Sequence, residues 1–326
     1  MSIIKSVSAL VAGAALSCGI VTTAPDAWAA DIPVKAPEAP AVGATVPLDV
    51  HGYLEFQVAN NRITPGGLLI YPDRGFLYHV DLGLSIDLYK NPSGFINSFQ
   101  AFGGIWNEYW TEPPVGGDQW QERDWWIGFT VGFAQHWSFS TSHVQFKLPG
   151  GPTAYNYAFS LGFNDSYLGF PVAFNPFVNV FYNAAGFTNI PTGSNTYRVE
   201  IGVRPTSPLE KWIGIPLMAA FPTWVTIAPK SYYNRNDGTT NLCGPYTNMS
   251  CSLSNAGIVS TGLQLKYALT MVPKRLGNWY VSGGLQYYHL FNDALLASQV
   301  VLGAATSYPD AQRDYVVWTS AIGFTF

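Results

Sequence analysis

FLYHVDLGLSIDL, residues 76–88, alternates without a slip. Phe76, Tyr78, Val80, Leu82, Leu84, Ile86 and Leu88 share one parity; Leu77, His79, Asp81, Gly83, Ser85 and Asp87 share the other. Successive side chains of a strand point to opposite faces, so this segment predicts a strand with one wholly apolar face and one mostly small or polar face. Seven consecutive apolar positions on one parity are hard to obtain by chance.

The same pattern recurs along the chain, with turn residues between repeats. It appears at 50–58, 99–110, 125–133, 137–146, 155–163, 176–182, 196–204, 223–228, 258–269 and 279–289. The last repeat, DYVVWTSAIGFTF (314–326), carries Val316, Trp318, Ile322, Phe324 and Phe326 on one parity. With 76–88 this makes about twelve strands, with ten to fourteen as the range. The non-apolar parity carries glycine, small polar residues and sparse charge, as a lumen requires when opposite walls are close. A soluble sandwich would carry lysine and glutamate freely on that face.

Composition points the same way. Only 11% of the 326 residues are charged, against roughly 25% in a typical soluble domain. Aromatics reach 15%, and 32 glycines and 23 prolines supply turns. Beyond the N-terminal segment no run approaches the ~18 apolar residues of a membrane helix. The expected fold is therefore all-β, a transmembrane antiparallel up-and-down barrel of about twelve strands. A net charge of −4 with scattered Lys and Arg lacks the basic patch of a nucleic-acid binder.

An even strand number places both chain ends on one side and predicts alternating long and short connections. The expected outer loops include 59–75, 111–124, 183–195, 229–257 and 290–313; the inner turns include 89–98, 134–136 and 270–278. Residues 205–222 break the alternation, being too long for an inner turn; they hold a short helix or another strand. Trp106, Trp110, Trp125, Trp137 and Trp279 fall near strand ends, where an interfacial aromatic girdle is expected.

Residues 1–30 have one early lysine, an apolar stretch from Val7 to Val21 and a small-x-small site at Ala27-Trp28-Ala29, which reads as a signal peptide. Cys18 would leave with it. Cys243 and Cys251 remain, an even pair in an exported chain, and a disulfide between them is expected. Residues 31–47, DIPVKAPEAPAVGATVP, form a proline-rich periplasmic linker, and 48–326 the barrel. The start ADIPVKAP after the signal peptide resembles the mature beginning of many α-proteobacterial outer-membrane barrels and porins. The terminal Phe326 is similar to the signal read by the outer-membrane assembly machinery. The resemblance covers the two ends of the chain; the body lacks the cysteine-containing motif that follows the linker in the common porins of that group. It implies export to a Gram-negative outer membrane, with lipid and the assembly machinery as partners.

The chemistry is sparse. His136-Trp137-Ser138 is the nearest approach to a Ser–His pair, but it sits at an inner turn without an assignable carboxylate or amide. His51 reads as a polar wall residue, and His79, His143 and His289 are far apart with no metal-type spacing. No enzyme, cofactor or metal is expected. Lumen candidates are Glu55 on the first strand, Asp81 and Asp87 on the second, Arg198, Glu200 and Arg204 on one parity of TYRVEIGVR, and Lys266 beside Gln264. Two readings of these charges stand: a charged constriction selecting small polar solutes, or a salt-bridge network stiffening a filled lumen. The first makes the protein a passive channel, the second a structural or surface-interaction barrel.

Overall fold

The computed structural model describes residues 49–63, 69–70, 75–112, 119–147, 153–185, 195–233, 254–301 and 310–326. The signal segment, the linker and both Cys243 and Cys251 lie outside the described residues.

Twelve antiparallel strands close into a barrel. They are β1 (Asp49–Ala59), β2 (Leu77–Lys90), β3 (Ile96–Trp110), β4 (Trp120–Phe133), β5 (Trp137–Lys147), β6 (Thr153–Phe163) and β7 (Pro176–Ala185). The circuit continues with β8 (Thr196–Val203, resuming at Thr206–Pro208) and β9 (Leu217–Ala220, resuming at Thr223–Ile227). It ends with β10 (Ala256–Ala268), β11 (Asn278–Leu290) and β12 (Asp314–Thr325). Each strand pairs with its sequence neighbours, and β1 pairs with β12 to shut the wall. The closing register sets Leu54 opposite Phe324 and Phe56 opposite Ile322, so the apolar parities of both strands share the outward face. The last ladder rung is Phe326, whose backbone exchanges bonds of 3.0 and 3.1 Å with Gly52. Closure leaves the sheet without an edge.

The long segment 205–222 resolves into strand. Val203 faces Thr223 and Thr206 faces Ala220, so β8 and β9 run past the expected turn. Pro205 and Pro222 interrupt the ladder because proline has no N–H. Their carbonyls still accept, from Phe221 (2.8 Å) and Gly262 (3.1 Å) respectively. The turn proper is 209–216, which holds the short helix α1 (Glu210–Ile213). β4 also begins earlier than expected, so the loop before it ends at 119 rather than 124.

We call the end carrying Asp49 and Phe326 the near rim. Its connections, 91–95, 134–136, 164–175, 209–216 and 269–277, are shorter on the whole than those at the far rim. Two far-rim connections fold inward. Helix α2 (Lys230–Tyr233) follows β9, and helix α3 (Asp293–Val301) follows β11. Ile63 of the first far-rim hairpin (Arg62–Ile63 with Leu69–Ile70) joins them.

Together Ile63, Tyr232, Tyr233, Ala294, Leu295 and Leu296 pack on Ile258, Tyr288, Leu290 and Val317 of the inner wall. This is the main apolar core, and it sits in the barrel mouth as a stopper. Helix α3 starts at Asn292, whose Oδ1 accepts from the Ala294 N–H at 2.9 Å as an N-cap. Arg313 donates to Asp293 at 2.6 Å, and the buried Gln299 bonds the Gln312 backbone and the Tyr315 hydroxyl. Leu295 is 2% exposed. Leu295→Ala is expected to cost about 2–5 kcal/mol if the stopper unfolds with the barrel. A urea titration of the refolded protein reads that loss.

The outward face is largely apolar, with His143, Thr141 and Arg123 among its exceptions. Phe56, Leu84, Ile105, Ile127, Phe129, Phe159, Val178, Ile201, Leu263, Leu285 and Val316 are all exposed. Among the described residues no helix is long and apolar enough to cross a membrane.

Candidate functional site: the lumenal wall

The inward parity of β1–β4 carries most of the acid. Cross-strand register aligns Gln57, His79, Glu108 and Glu122 in one row, and Glu55, Asp81, Trp106 and Asp124 in the row beside it. Arg62 reaches down from the far-rim hairpin and pairs with Glu108 at 3.1 Å and Glu122 at 2.5 Å. Its guanidinium also lies 4.3 Å over the Trp106 ring. His79 bridges Gln57 (2.9 Å) and Glu108 (2.9 Å), and the Trp110 indole donates to Glu108 at 2.7 Å. Glu108 is thereby held by an arginine, a histidine and an indole while only 1% exposed.

These contacts correct one expectation. Trp106 and Trp110 are 7% and 3% exposed, sharing the inward parity of Glu108, and do not belong to an outward girdle. Trp125 and Trp137 do face outward, and Trp279 stacks on Phe324 at 4.9 Å.

Lower on the same wall, Glu55 and Asp81 are direct cross-strand partners. The Tyr280 hydroxyl donates to Glu55 at 2.8 Å and the Tyr53 hydroxyl to Asp81 at 3.0 Å. Lys266 sits 3.7 Å over the Tyr280 ring. Tyr53 and Tyr280 lie flat across Gly83 and Gly323, where an added Cβ would collide with each ring. Glycine at these two positions lets bulky side chains hug the wall instead of projecting into the lumen.

Asp87 has the expected inward parity but sits at the near rim. There it pairs with Lys90 at 2.7 Å and His51 at 2.8 Å, while Lys90 also meets Asp49 at 2.6 Å. Asp49, His51 and Asp87 bring ligand-type atoms within 4.8 Å of one another, a cluster spacing arguments missed. The Lys90 ammonium already sits between its two carboxylates and offsets one of their two charges.

Arg198, Glu200 and Arg204 lie on β8 and just beyond it. Arg198 and Glu200 are 6% and 9% exposed, while Tyr197 and Ile201 on either side of them face outward. Arg198 stacks 3.7 Å over Phe181, Arg204 lies 5.5 Å from the Phe177 ring, and Asn179 donates to Glu200 at 3.0 Å. In a closed circuit of twelve, β8 stands six strands from β2. The acid-rich wall and the arginine-bearing wall therefore face each other across the lumen. The sequence reading missed Arg62, in a loop without periodicity, Glu122 and Asp124, in the stretch that reads as outer loop 111–124, and Glu108 on β3. His136 stacks on Tyr167 at 3.6 Å in the near-rim turns, and no hydrogen bond joins it to Ser138 among the described residues.

No family model and no curated protein matches the chain. Among solved structures, the NanC porin superposes with 10% identity over 83% of this chain and 98% of its own, TM-score 0.42. Outer membrane phospholipase A from Escherichia coli aligns at 11% identity over 84% and 92%, TM-score 0.40. The outer membrane channel DcaP of Acinetobacter baumannii aligns at 10% over 86% and 97%, TM-score 0.35. The fold itself rests on the closed pairing of the twelve strands.

Proposed function

We propose that this chain is an outer-membrane β-barrel channel for small polar solutes, held shut at its far mouth by the infolded stopper. The observation that carries the reading is the placement of lumenal charge on opposite walls. Among the described residues Glu55, Asp81, Glu108, Glu122 and Asp124 share one side with Arg62 and Lys266 as counter-charges; Arg198 and Arg204 stand on the other. Charge inside a membrane protein is costly unless it is paired or hydrated. Six carboxylates, counting Glu200, against four cations on separated walls call for water between them. An apolar outward face suits lipid, and the near rim then faces the periplasm.

One observation favours a permanently filled barrel. Many inward polar residues, such as Asn156 (4%), Ser160 (3%), Asn179 (4%) and Ser260 (0%), are almost fully buried. Liposome swelling separates the two. In Leu295→Asp/Leu296→Asp the carboxylates cannot remain in the apolar cluster, and α3 should leave the mouth. Vesicles carrying this variant are expected to swell in a small neutral sugar faster than wild-type vesicles. Equal, negligible swelling of both, with unchanged strand content by circular dichroism, would favour the filled barrel.

A further inference from the structure

At the near rim, β1 and β2 bring together three side chains that stand apart from the ion pairs deeper in the lumen. Asp49 and His51 are two residues apart on one parity of β1, and Asp87 on β2 is the direct cross-strand partner of Asp49. Side chains at i, i+2 and the facing position share one side of a sheet, so their tips can converge. Here they do. His51 Nε2 lies 2.8 Å from Asp87 Oδ2 and 3.4 Å from Asp49 Oδ1, and all three ligand-type atoms fall within 4.8 Å of one another. Ligands about 2.0–2.2 Å from a zinc ion stand roughly 3.3–3.5 Å apart at tetrahedral angles, so small adjustments would complete the fit. The side chains of His51 and Asp49 are 34% and 52% exposed, which gives an ion a path in from solvent.

We infer that Asp49, His51 and Asp87 form a binding site for a divalent transition metal of the zinc class, with Lys90 as its competitor.

Charge supports the site. Like charges directly opposite each other on neighbouring strands repel, and Asp49 and Asp87 are such a pair. The Lys90 ammonium, 2.6 and 2.7 Å from them, offsets one charge and marks where a cation is favoured. Its side chain is 54% exposed on a flexible stem. Exposed ion pairs contribute little, so the ammonium can swing into water when a dication arrives. The imidazole sets the metal class. Magnesium and calcium take oxygen ligands, whereas a nitrogen beside two carboxylates suits zinc and its neighbours.

Outer partners are in place as well. Gln100 Nε2 donates to Asp87 Oδ1 at 2.9 Å, leaving Oδ2 toward His51. Ser85 is the cross-strand partner of His51, is 1% exposed, and its hydroxyl has no hydrogen-bond partner among the described residues. When Nε2 takes a metal, the ring proton sits on Nδ1 and calls for an acceptor. Ser85 Oγ is a buried acceptor in the facing position.

Calorimetric titration of untagged, refolded protein in chelator-free detergent tests the site, with Zn²⁺, Mg²⁺ and Ca²⁺ as separate probes. Zn²⁺ is expected to bind at least about tenfold more tightly than Mg²⁺ or Ca²⁺. Losing even an outer partner of a metal ligand costs about 10–100-fold in affinity, so His51→Asn should weaken Zn²⁺ by that much or more. Lys90→Gln should tighten Zn²⁺ by removing the competing ammonium, and Zn²⁺ should then raise the urea midpoint of that variant. A lysine that serves only to pair the aspartates predicts otherwise: Lys90→Gln lowers the midpoint and gains no affinity for Zn²⁺, which overturns the competitor role. Wild-type protein that binds no Zn²⁺ overturns the site. Zn²⁺ binding unchanged by His51→Asn overturns it too, placing the ion on other histidines or on Cys243 and Cys251. Equal affinity for Zn²⁺ and Mg²⁺ would reduce the site to a pair of carboxylates and overturn the metal class.

Discussion

Ile201→Arg is expected to lower barrel stability by about 2–4 kcal/mol, the cost of an arginine facing lipid at mid-depth in such a wall. Ile201 is 44% exposed on the outward face, aligned across the wall with Val178 on β7 and Val225 on β9. Its neighbour Gly202 faces inward, and Glu200 on the other side is 9% exposed. A one-residue slip of register would exchange these faces. The urea midpoint in lipid vesicles measures the effect. If Ile201→Arg is tolerated while Arg198→Gln unfolds the barrel, the two faces of β8 have been inverted.

Arg62→Ala should be comparably damaging for a different reason. It removes the guanidinium shared by Glu108 and Glu122, whose side chains are 1% and 8% exposed. Breaking a buried ion pair from one side typically costs about 3–5 kcal/mol, because the remaining charge loses its partner without regaining water. The effect divides between loss of overall stability and release of the hairpin from the lumen. Arg62→Ala combined with Glu108→Gln and Glu122→Gln should recover much of the loss, since neutral amides tolerate burial better than bare carboxylates. No recovery in the triple variant would mean that Arg62 acts by packing on Trp106 instead.

The wall was legible in the sequence because a strand has period two and a membrane barrel obeys it on every strand. FLYHVDLGLSIDL alone gives the faces of β2 correctly, and TYRVEIGVR gives those of β8. Two features of the backbone were not legible. Residues 205–222 leave open a short helix or another strand; Pro205 and Pro222 stay in the ladder through their own carbonyls, so β8 and β9 are longer than their alternation suggests.

The turn at 134–136 needs positive φ at Ala134 (46°) and Gln135 (66°), and neither residue type announces that conformation. Its tightness was read from the spacing of the flanking strands. The stopper is not legible because residues 290–313, lying between two alternating strands, read as one outer loop. DALLASQVV is apolar on nearly every side, which is itself the mark of a helix buried all round.

Single-channel recording in planar bilayers, wild type beside Leu295→Asp/Leu296→Asp, tests the shut-channel reading most directly. Wild-type protein should be closed for most of the record, and the variant should give long-lived discrete conductance steps. Six lumenal carboxylates against four cations predict a reversal potential on the cation-selective side, moving further that way with Arg198→Gln. Electrical silence of the folded variant, with no steps at any applied voltage, would contradict a hydrated lumen behind a stopper.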